Sequence, residues 1–343
     1  MAPQDDQRKK HSMDQPMFGL LGAPKDPASM SAMRGHFVAA SGEFVGTFMF
    51  LLFAFLGHQM SVSTAPDFGP NGVNSNQTVI YIATSYGASL LVTVWTMYRI
   101  SGGLFNPAVT LGLVITGALP PVRGAILFPV QIIAGMCAAG IASVIIPGDI
   151  KNVQTTLTPG MNSAQGVFLE MFLTAQLVFT VLMLAAEKSK DTFIAPIGIG
   201  LSLFVAEVAG VFYTGASLNP ARSFGPCVVG RNFQTYHWIY WIGPFLGALI
   251  AAGYYHFVKY LNYEEANPGQ DSAGGQFDRQ VEEQASSPSP VDRNSMNMDE
   301  MMERGDSNTA NSNIGRSRSR GQRGQANGGG YHPGYATTGA NRL

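Results

Sequence analysis

The fold of this chain is decided by a twelve-residue pattern that occurs twice, as SGGLFNPAVTLG at residues 101–112 and as TGASLNPARSFG at residues 214–225. Asparagine is a strong helix N-cap, and proline is favoured at the first helical position because its missing N–H costs nothing there. Each Asn-Pro-Ala therefore predicts the start of a helix. Only about ten residues follow before the next break, whereas a bilayer-spanning helix needs roughly 20. Both helices are therefore predicted to be half-helices.

Six other stretches are long and apolar enough to cross a bilayer. Their only charged side chains are Glu43, Glu170 and Glu207. They run near residues 37–57, 79–98, 124–146, 164–186, 193–213 and 236–258. The sequence thus predicts an all-α membrane protein with six transmembrane helices and two re-entrant half-helices.

The half-helices belong to two inverted repeats. Each copy of the pattern follows the second of three spans, and an odd number of spans makes the two halves enter the membrane from opposite faces. The two helix starts are then expected to meet near the midplane, each with a positive dipole end. Irregular backbone survives at that depth only where it is buried or lines a wet cavity, so the carbonyl groups before each cap are predicted to line a pore. These are the carbonyl groups of Gly102, Gly103, Leu104, Gly215 and Ser217.

Composition excludes several other classes of protein. The net charge is -1 and only 13% of residues are charged, against roughly 25% in soluble domains, which argues against nucleic-acid binding driven by charge. Two cysteines do not make a disulfide framework. Because the sequence has no metal-ligand cluster, phosphate loop or nucleophile with a placed base, we expect no enzymatic activity, no cofactor and no metal.

The flanking segments indicate the domain organisation and the orientation. Residues 1–36 and 262–343 are rich in Gly, Ser, Asn, Gln, Pro and charge, which predicts disordered tails around a channel domain at 37–261. Lys and Arg are frequent in the N-terminal flank and absent from the loop at 58–78. The positive-inside rule therefore predicts that both tails are cytoplasmic.

The chain resembles the aquaporin, or major intrinsic protein, family over roughly residues 37–262. The likeness is carried by the six spans and by the two motifs, SGGLFNPAVTLG and TGASLNPARSFGP. The long polar tails are similar to those of fungal water channels. The resemblance implies a passive channel for water or small neutral solutes that lies in the lipid bilayer as a homotetramer with one pore per subunit.

Three residues are expected to control passage. Asn106 and Asn219 cap their half-helices and should offer N–H groups to water at the midplane, which orients the water and interrupts a proton relay. Arg222 opposes the dipole of its own half-helix, and a cation in that place within a membrane indicates function. By resemblance, Arg222 forms an outer constriction with Tyr86, Glu207 and Ala216, and we keep that name for these four residues.

The outer constriction departs from the family pattern. Water-selective relatives usually carry Phe, His and Cys or Thr where this chain has Tyr86, Glu207 and Ala216. Ala216 is expected to widen the gap. Glu207 is expected within reach of Arg222, either paired with it or protonated, and the alternative is that its carboxylate turns into a buried network. Ser223 favours the water branch, because glycerol-passing relatives usually carry Asp there.

Other intramembrane residues are given structural roles. Glu43 and Glu170 occupy symmetric positions and are expected to accept hydrogen bonds from backbone N–H groups of the re-entrant loops, with proton relay as the alternative. Gln131 and Pro244 are interpreted as packing residues. His58 lies just past the end of the first predicted span and is interpreted as interfacial.

Three functions fit these residues. The main hypothesis is a passive water channel, which we expect in the plasma membrane. The second is a channel of the same fold for hydrogen peroxide or other small neutral solutes. The third belongs to another class, a proton-coupled secondary transporter with Glu43, Glu170 and Glu207 as proton carriers.

Overall fold

The computed structural model describes residues 32–65, 75–187 and 190–266, apart from the side chains at 32, 190 and 191. Within these residues the chain is helical and has no β-strand. Most of the predicted tails lie outside the described residues. The exceptions are residues 32–36, which belong to the first helix, and residues 262–266. The main helices are α1 Ala32–Ser63, α2 Asn76–Met97, α3 Pro107–Ile115, α4 Pro121–Ile145, α5 Ser163–Val181, α6 Ala195–Thr214, α7 Pro220–Val229 and α8 Ile239–Tyr260. Short pieces are 3-10 turns at Ile150–Val153 and Lys190–Ile194, a π turn at Leu182–Ala186 that continues α5, and α9 at Tyr263–Ala266.

Six of these helices are long and apolar enough to cross a membrane, and the prediction of six spans is confirmed. The first helix begins at Ala32 and ends at Ser63, so it extends beyond the predicted span at 37–57 in both directions. Backbone hydrogen bonding does not stop where the apolar run stops, and this explains the extra turns. The spans cover Met33–Ser63, Asn76–Met97, Pro121–Ile145, Ser163–Ala186, Thr192–Thr214 and Ile239–Tyr260.

The two half-helices have the predicted start and length. α3 has 9 residues and α7 has 10. At 1.5 Å per residue, they rise roughly 14 and 15 Å, no more than about half of a hydrocarbon core about 30 Å thick. Neither helix therefore crosses the bilayer.

The two halves of the chain interlock. α1 packs on α2 and α4, and α5 packs on α6 and α8 in the same way. Each half-helix also packs on the last helix of the other half, since α7 contacts α4 and α3 contacts α8. Each half therefore holds the half-helix of the other in place.

The halves meet where α2 crosses α6. Gly87 and Gly200 lie at this crossing and are 113 positions apart in the sequence. A Cβ atom on Gly87 would lie 2.9 Å from the carbonyl oxygen of Gly200, and a Cβ atom on Gly200 would lie 2.7 Å from that of Gly87. A larger residue would force the helices apart, so these glycines set how closely the repeats approach.

Candidate functional site

Both half-helices begin at a capping asparagine. Asn106 and Asn219 have extended backbone angles, and a proline follows each at the first helical position. The Oδ1 atom of Asn106 accepts a hydrogen bond from the N–H of Ala108 at 2.8 Å, and that of Asn219 accepts one from the N–H of Ala221 at 2.9 Å. The side-chain amide nitrogens remain available for other partners.

The two helix starts meet tip to tip. Nδ2 of Asn106 donates to the carbonyl oxygen of Leu218 at 2.8 Å, and Nδ2 of Asn219 donates to that of Phe105 at 2.9 Å. Phe105 and Leu218 have φ values of 51° and 50°, in the left-handed region that L-residues seldom occupy. This reciprocal bonding pins both N-termini at one place in the interior.

Two buried carboxylates hold the loops that precede the half-helices. Glu43 accepts hydrogen bonds from the N–H groups of residues 104 and 105 at 3.0 and 2.8 Å. Glu170 accepts from the N–H groups of residues 217 and 218 at 2.8 and 2.9 Å. Buried N–H groups need partners, and these loops have no helix or sheet to supply them. The carboxylates therefore provide the acceptors that the irregular backbone lacks.

Gln131 is a hydrogen-bond donor, so its interpretation as a packing residue is wrong. Its Nε2 atom donates to Glu43 at 2.8 Å and to the hydroxyl of Thr110 at 2.9 Å. Pro244 stands 113 positions later and has no side-chain donor. An isolated glutamine in an apolar run does not indicate its partner, because that partner comes from another helix.

A narrow central cavity lies at the tips of the two half-helices. Most of its wall consists of Leu, Val, Ile and Phe side chains. The predicted pore residues Gly103 and Leu104 also line it. The polar side chains along it belong to Tyr86, Asn106, Glu207, Ser217, Asn219 and Arg222. The structure thus brings both asparagines and three of the four outer-constriction residues to one cavity.

The other predicted pore residues lie beside the central cavity rather than on it. Gly102, Gly215 and Ala216 are not among its lining residues. The carbonyl oxygen of Gly215 instead accepts a hydrogen bond from Arg222 at 3.4 Å. Ala216 is fully buried with a φ of 45°, and its Cβ faces α6, 3.1 Å from where a Cβ on Gly210 would lie. The widening expected from Ala216 is therefore not a direct effect of a lining side chain.

Arg222 is only 1% exposed, and backbone carbonyl groups hold its guanidinium group. Its Nη1 atom donates to the carbonyl oxygen of Val153 at 2.7 Å, and Nη2 donates to that of Gly215. The guanidinium carbon lies 4.7 Å from the ring centroid of Tyr86, within the range of a cation–π contact. Its Nε atom has no hydrogen-bond partner.

Glu207 does not pair with Arg222, which corrects the first of the two arrangements expected for it. Its side chain is fully buried and lines the central cavity together with Arg222. Both of its carboxyl oxygens lack a hydrogen-bond partner, so the alternative of a buried network is also not observed. Backbone carbonyl groups rather than Glu207 are the acceptors for both terminal nitrogens of Arg222.

Sequence reasoning missed two residues that support the outer constriction. His58 is only 3% exposed, with Nδ1 3.4 Å from the hydroxyl of Tyr86, so the interfacial interpretation is wrong. The reason is that α1 continues to Ser63, which places residue 58 more than a turn inside the helix. Val153 contributes only a backbone carbonyl, and no sequence signal distinguishes such a carbonyl from its neighbours.

The described residues contain no group of three or more His, Cys, Asp or Glu side chains that could hold a metal ion. Cys137 and Cys227 are both free thiols. The Sγ atom of Cys227 lies 3.6 Å from Nδ1 of His237, a single sulfur–histidine contact.

Comparisons with known proteins agree with this architecture. The sequence profile described as "Major intrinsic protein" matches residues 30–255. A protein called "Probable aquaporin-3" from Gibberella zeae is 62% identical over 249 residues, which cover 73% of this chain and 87% of that protein. "Aquaporin-7" from Botryotinia fuckeliana is 57% identical over 242 residues, or 70% of this chain and 53% of that protein.

A solved structure is similar in fold. The X-ray structure of the aquaglyceroporin from Plasmodium falciparum aligns with a TM-score of 0.56 and 18% sequence identity, covering 64% of this chain and 95% of that chain. The extent of the profile match and the level of identity to the fungal relatives show that this chain belongs to the major intrinsic protein (aquaporin) family of membrane channels.

Proposed function

We propose that this protein is a passive water channel that excludes protons and ions. The observation that supports it most is the cross-bonding of Asn106 and Asn219 at the tips of two half-helices, beside a cavity that both asparagines line. Membership in a family of channels supports the same reading. Family membership also favours a protein without enzymatic activity, cofactor or metal.

The two asparagines are proposed to orient each passing water molecule. A side-chain amide nitrogen carries two N–H donors, and in Asn106 and Asn219 one donor serves the carbonyl of the opposite loop. The second donor of each can bond to water. A water molecule that accepts two hydrogen bonds points both of its hydrogens away along the file, so it cannot relay a proton. The positive ends of α3 and α7 repel cations at the same point.

The outer constriction is proposed to supply a second barrier. Arg222 is a fixed cation, because the carbonyl groups of Val153 and Gly215 hold its two terminal nitrogens. A buried charge acts strongly at short range because little solvent screens it. Tyr86 lies against the guanidinium group and limits the width on that side. Cations would therefore meet repulsion both here and at the midplane.

A channel for hydrogen peroxide or other small neutral solutes is the second candidate. It is favoured by Glu207, whose two unpartnered carboxyl oxygens stand where water-selective relatives usually carry His. Ser223 favours water, because glycerol-passing relatives usually carry Asp at that place. The likeness to the aquaglyceroporin bears on the fold alone.

Proton-coupled transport has less support. It requires carboxylates that exchange protons with the cavity, yet Glu43 and Glu170 each accept several hydrogen bonds from the loops they support. Removing either acceptor would leave buried N–H groups without partners. Only Glu207 among the three has unpartnered oxygens on the cavity.

The assembly and location are proposed on the same basis. We infer a homotetramer in the plasma membrane, with one pore in each subunit and both tails in the cytoplasm. Residues 37–261 are proposed to form the channel domain between two tails at 1–36 and 262–343, of which residues 32–36 and 263–266 are helical. Arg123, at the start of α4, lies on the proposed cytoplasmic side, where its Nε donates to His36.

Osmotic shrinkage of liposomes that contain the purified full-length chain tests the proposal. We expect shrinkage about tenfold faster than in protein-free liposomes, with slow glycerol and peroxide entry and no added proton leak. Shrinkage no faster than in protein-free liposomes would contradict a water channel. Peroxide or glycerol entry as fast as that of water would favour the second candidate. Uptake that collapses when a pH gradient is dissipated would favour the transporter.

A further inference from the structure

The segment that joins the two repeats supplies an acceptor that holds Arg222. This joining segment, residues 146–162, runs between α4 and α5 and includes the 3-10 turn Ile150–Val153. The carbonyl oxygen of Val153 accepts from Nη1 of Arg222 at 2.7 Å, whereas the bond from Nη2 to Gly215 is longer, at 3.4 Å. Val153 and Arg222 lie 69 positions apart in the sequence, so the place of Arg222 depends on what fixes the joining segment.

Gln154 anchors the joining segment directly beside Val153. Its side chain is buried, with only 5% exposed. Its Nε2 atom donates to the carbonyl oxygens of Pro226 at 3.1 Å and of Asn232 at 3.3 Å. Its Oε1 atom accepts from Nδ2 of Asn232 at 2.9 Å and from Nε2 of Gln234 at 3.0 Å. Both ends of one amide group are therefore bound to the end of α7 and to the residues that follow it.

Gln154 and Val153 contact the same half-helix at two places. Pro226 lies in the last turn of α7, and Arg222 lies in its first turn. Because α7 is one continuous helix, a bond at Pro226 also fixes the distance between the joining segment and Arg222. The anchor needs a donor and an acceptor on one side chain, which an amide supplies and an apolar side chain of equal length does not.

The inverted repeat shows what this anchor accompanies. Val109 stands at the position symmetric to Arg222, 113 residues earlier, and is a buried apolar residue. The joining segment connects the repeats and so occurs once, and its 3-10 turn contacts α1, α4 and α7. The anchor is thus attached to the half-helix that carries the cation, where a side chain has to be held in one place.

Arg222 has a competing acceptor on the same cavity. Both carboxyl oxygens of Glu207 lack a hydrogen-bond partner, and both side chains line the central cavity. Hydrogen bonds between a guanidinium group and a carboxylate are roughly twice as strong as those between neutral groups. An arginine that lost the carbonyl group of Val153 would therefore turn towards Glu207. Because the cavity is narrow, a side chain that lay across it would obstruct passage.

We propose that Gln154 is a positioning residue for Arg222. By binding the joining segment to the end of α7, it keeps the carbonyl group of Val153 in place as the acceptor for Nη1. The guanidinium group then stays at the wall of the cavity and does not turn to Glu207. Gln154 is not among the residues that line the cavity, so it keeps the path open without contacting the permeating molecule.

This inference rests on the proposed channel function, and the water permeability of liposomes tests it. Gln154→Met keeps an unbranched side chain of similar length and removes all four hydrogen bonds. We expect water permeability per reconstituted protein to fall about fivefold, the equivalent of about 1 kcal/mol. Gln165→Met is the matched control. Gln165 lies 11 positions later, at the exposed start of α5, where it bonds to Asn162, and its substitution should leave water permeability unchanged.

A second background separates positioning from a general effect on the fold. In a Glu207→Leu protein the competing acceptor is absent, so Gln154→Met should no longer change water permeability. The ratio of permeability without and with Gln154→Met is expected to be about five when Glu207 is present and about one when it is replaced. A loosened outer segment that acted in any other way would lower permeability in both backgrounds.

The possible outcomes separate the inference from the function. If wild-type liposomes are no more permeable to water than protein-free liposomes, the channel proposal fails. If the wild type conducts water, the positioning role is overturned by either of two results. One is wild-type permeability of Gln154→Met, and the other is an equal loss in both backgrounds.

Asn232→Ala covers the case in which Gln154→Met is not recovered. Asn232 is exposed, and its side chain donates to Gln154 at 2.9 Å, so its removal should not prevent folding. One lost hydrogen bond should lower water permeability about twofold when Glu207 is present, and not at all when Leu replaces Glu207. No loss, or the same loss in both backgrounds, would overturn the inference.

Discussion

The two re-entrant loops share one backbone and carry different side chains. Three residues in each loop have positive φ, namely 102, 103 and 105 in the first and 215, 216 and 218 in the second. These positions correspond with the constant offset of 113. The conformation of the loops therefore follows from the repeat itself, and the differences between the loops have to come from side chains and neighbouring segments.

Those differences give the cavity one polar and one apolar end. In three symmetric pairs of residues, the outer constriction has the polar member. The pairs are Tyr86 with Ile199, Glu207 with Val94, and Arg222 with Val109. The repeat thus supplies a scaffold for two helix ends, while three side chains on one side set its electrostatic character.

The two loops are also supported in different ways. The first relies on the Gln131 amide, which bonds to Glu43. The second relies on hydroxyl groups: Ser223 bonds to Ser217 at 2.5 Å and accepts from Thr155 at 2.9 Å. A symmetric backbone is thus stabilised by unsymmetric partners, and substitutions can test how far the two halves are equivalent.

The largest effect is expected from removing the carboxylates that hold the loops. Glu170→Ala leaves two buried N–H groups without an acceptor, which should lower the free energy of unfolding by about 4 kcal/mol at 1–3 kcal/mol per group. Glu43→Ala should cost about 1–2 kcal/mol more, because Gln131 also loses its partner. Unfolding by SDS in mixed micelles measures both values. Adding Gln131→Leu to Glu43→Ala should bring its free energy of unfolding closer to that of Glu170→Ala. If it does not, the Gln131 amide does not account for the difference between the two variants.

The next effect concerns the charge that the second loop has and the first lacks. Arg222→Val gives the second loop the residue found at the symmetric position, Val109. We expect conductance for small cations, or entry of larger solutes, to rise about tenfold, a change of about 1.4 kcal/mol in the barrier. Ion flux and solute flux into liposomes measure it. Selectivity identical to the wild type would mean that Arg222 does not restrict the cavity.

A smaller effect is expected from exchanging the residues at the third loop position. Gly103 has a φ of 70° and Ala216 has a φ of 45°, both in the region that disfavours a Cβ atom. Gly103→Ala also brings a Cβ to 3.3 Å from Val94, so it should lower the free energy of unfolding by about 1–2 kcal/mol. Ala216→Gly should raise it by less than about 1 kcal/mol. Thermal unfolding in detergent measures the change in stability that each substitution causes. If both substitutions change the stability in the same direction, this explanation is contradicted.

The smallest effect concerns the ends of the first helix of each half. α1 continues through Met60. The symmetric residue, 127 positions later, is Glu187, which directly follows the π turn at the end of α5. Burial alone would raise the pKa of Glu187, but hydrogen bonds from Lys259 at 2.7 Å and Tyr255 at 2.8 Å outweigh it and hold the pKa below the ordinary 4.5.

A lowered carboxyl pKa fixes the sign of the pH dependence. The stabilisation is present above the ordinary pKa and is lost as the pH falls through the lowered value. Glu187→Gln should therefore lower the free energy of unfolding by about 1 kcal/mol or less at pH 7 and by nothing in strong acid. Melting curves of both proteins at neutral and acidic pH measure the difference. A gap that persists in acid would show that the carboxylate charge is not the cause.

Much of the fold could be predicted from short-range chemistry. Six apolar runs must be helices, because a bilayer offers no partners for exposed backbone groups. An Asn-Pro-Ala sequence starts a helix for reasons confined to a few residues, so both half-helices were predictable with their first residue. Each copy of the duplicated pattern belongs to a half with three spans. Because three is an odd number, the two half-helices enter from opposite faces, which also predicts that their starts meet.

The partners of single polar side chains could not be predicted in this way. The sequence indicates packing for Gln131, an interfacial position for His58 and pairing with Arg222 as one arrangement for Glu207, and each outcome depends on atoms supplied by a different segment. The backbone carbonyl of Val153 decides where Arg222 lies, yet every residue has such a carbonyl.

Short-range sequence patterns therefore account for the inverted repeat, the six spans, and the two helix starts with their capping asparagines. The packing of distant segments, in contrast, binds Arg222 to backbone carbonyl groups and leaves Glu207 without a hydrogen-bond partner. The physical reason is range. Helix capping and membrane insertion depend on neighbouring residues, whereas hydrogen-bond partners across the cavity depend on how distant helices pack.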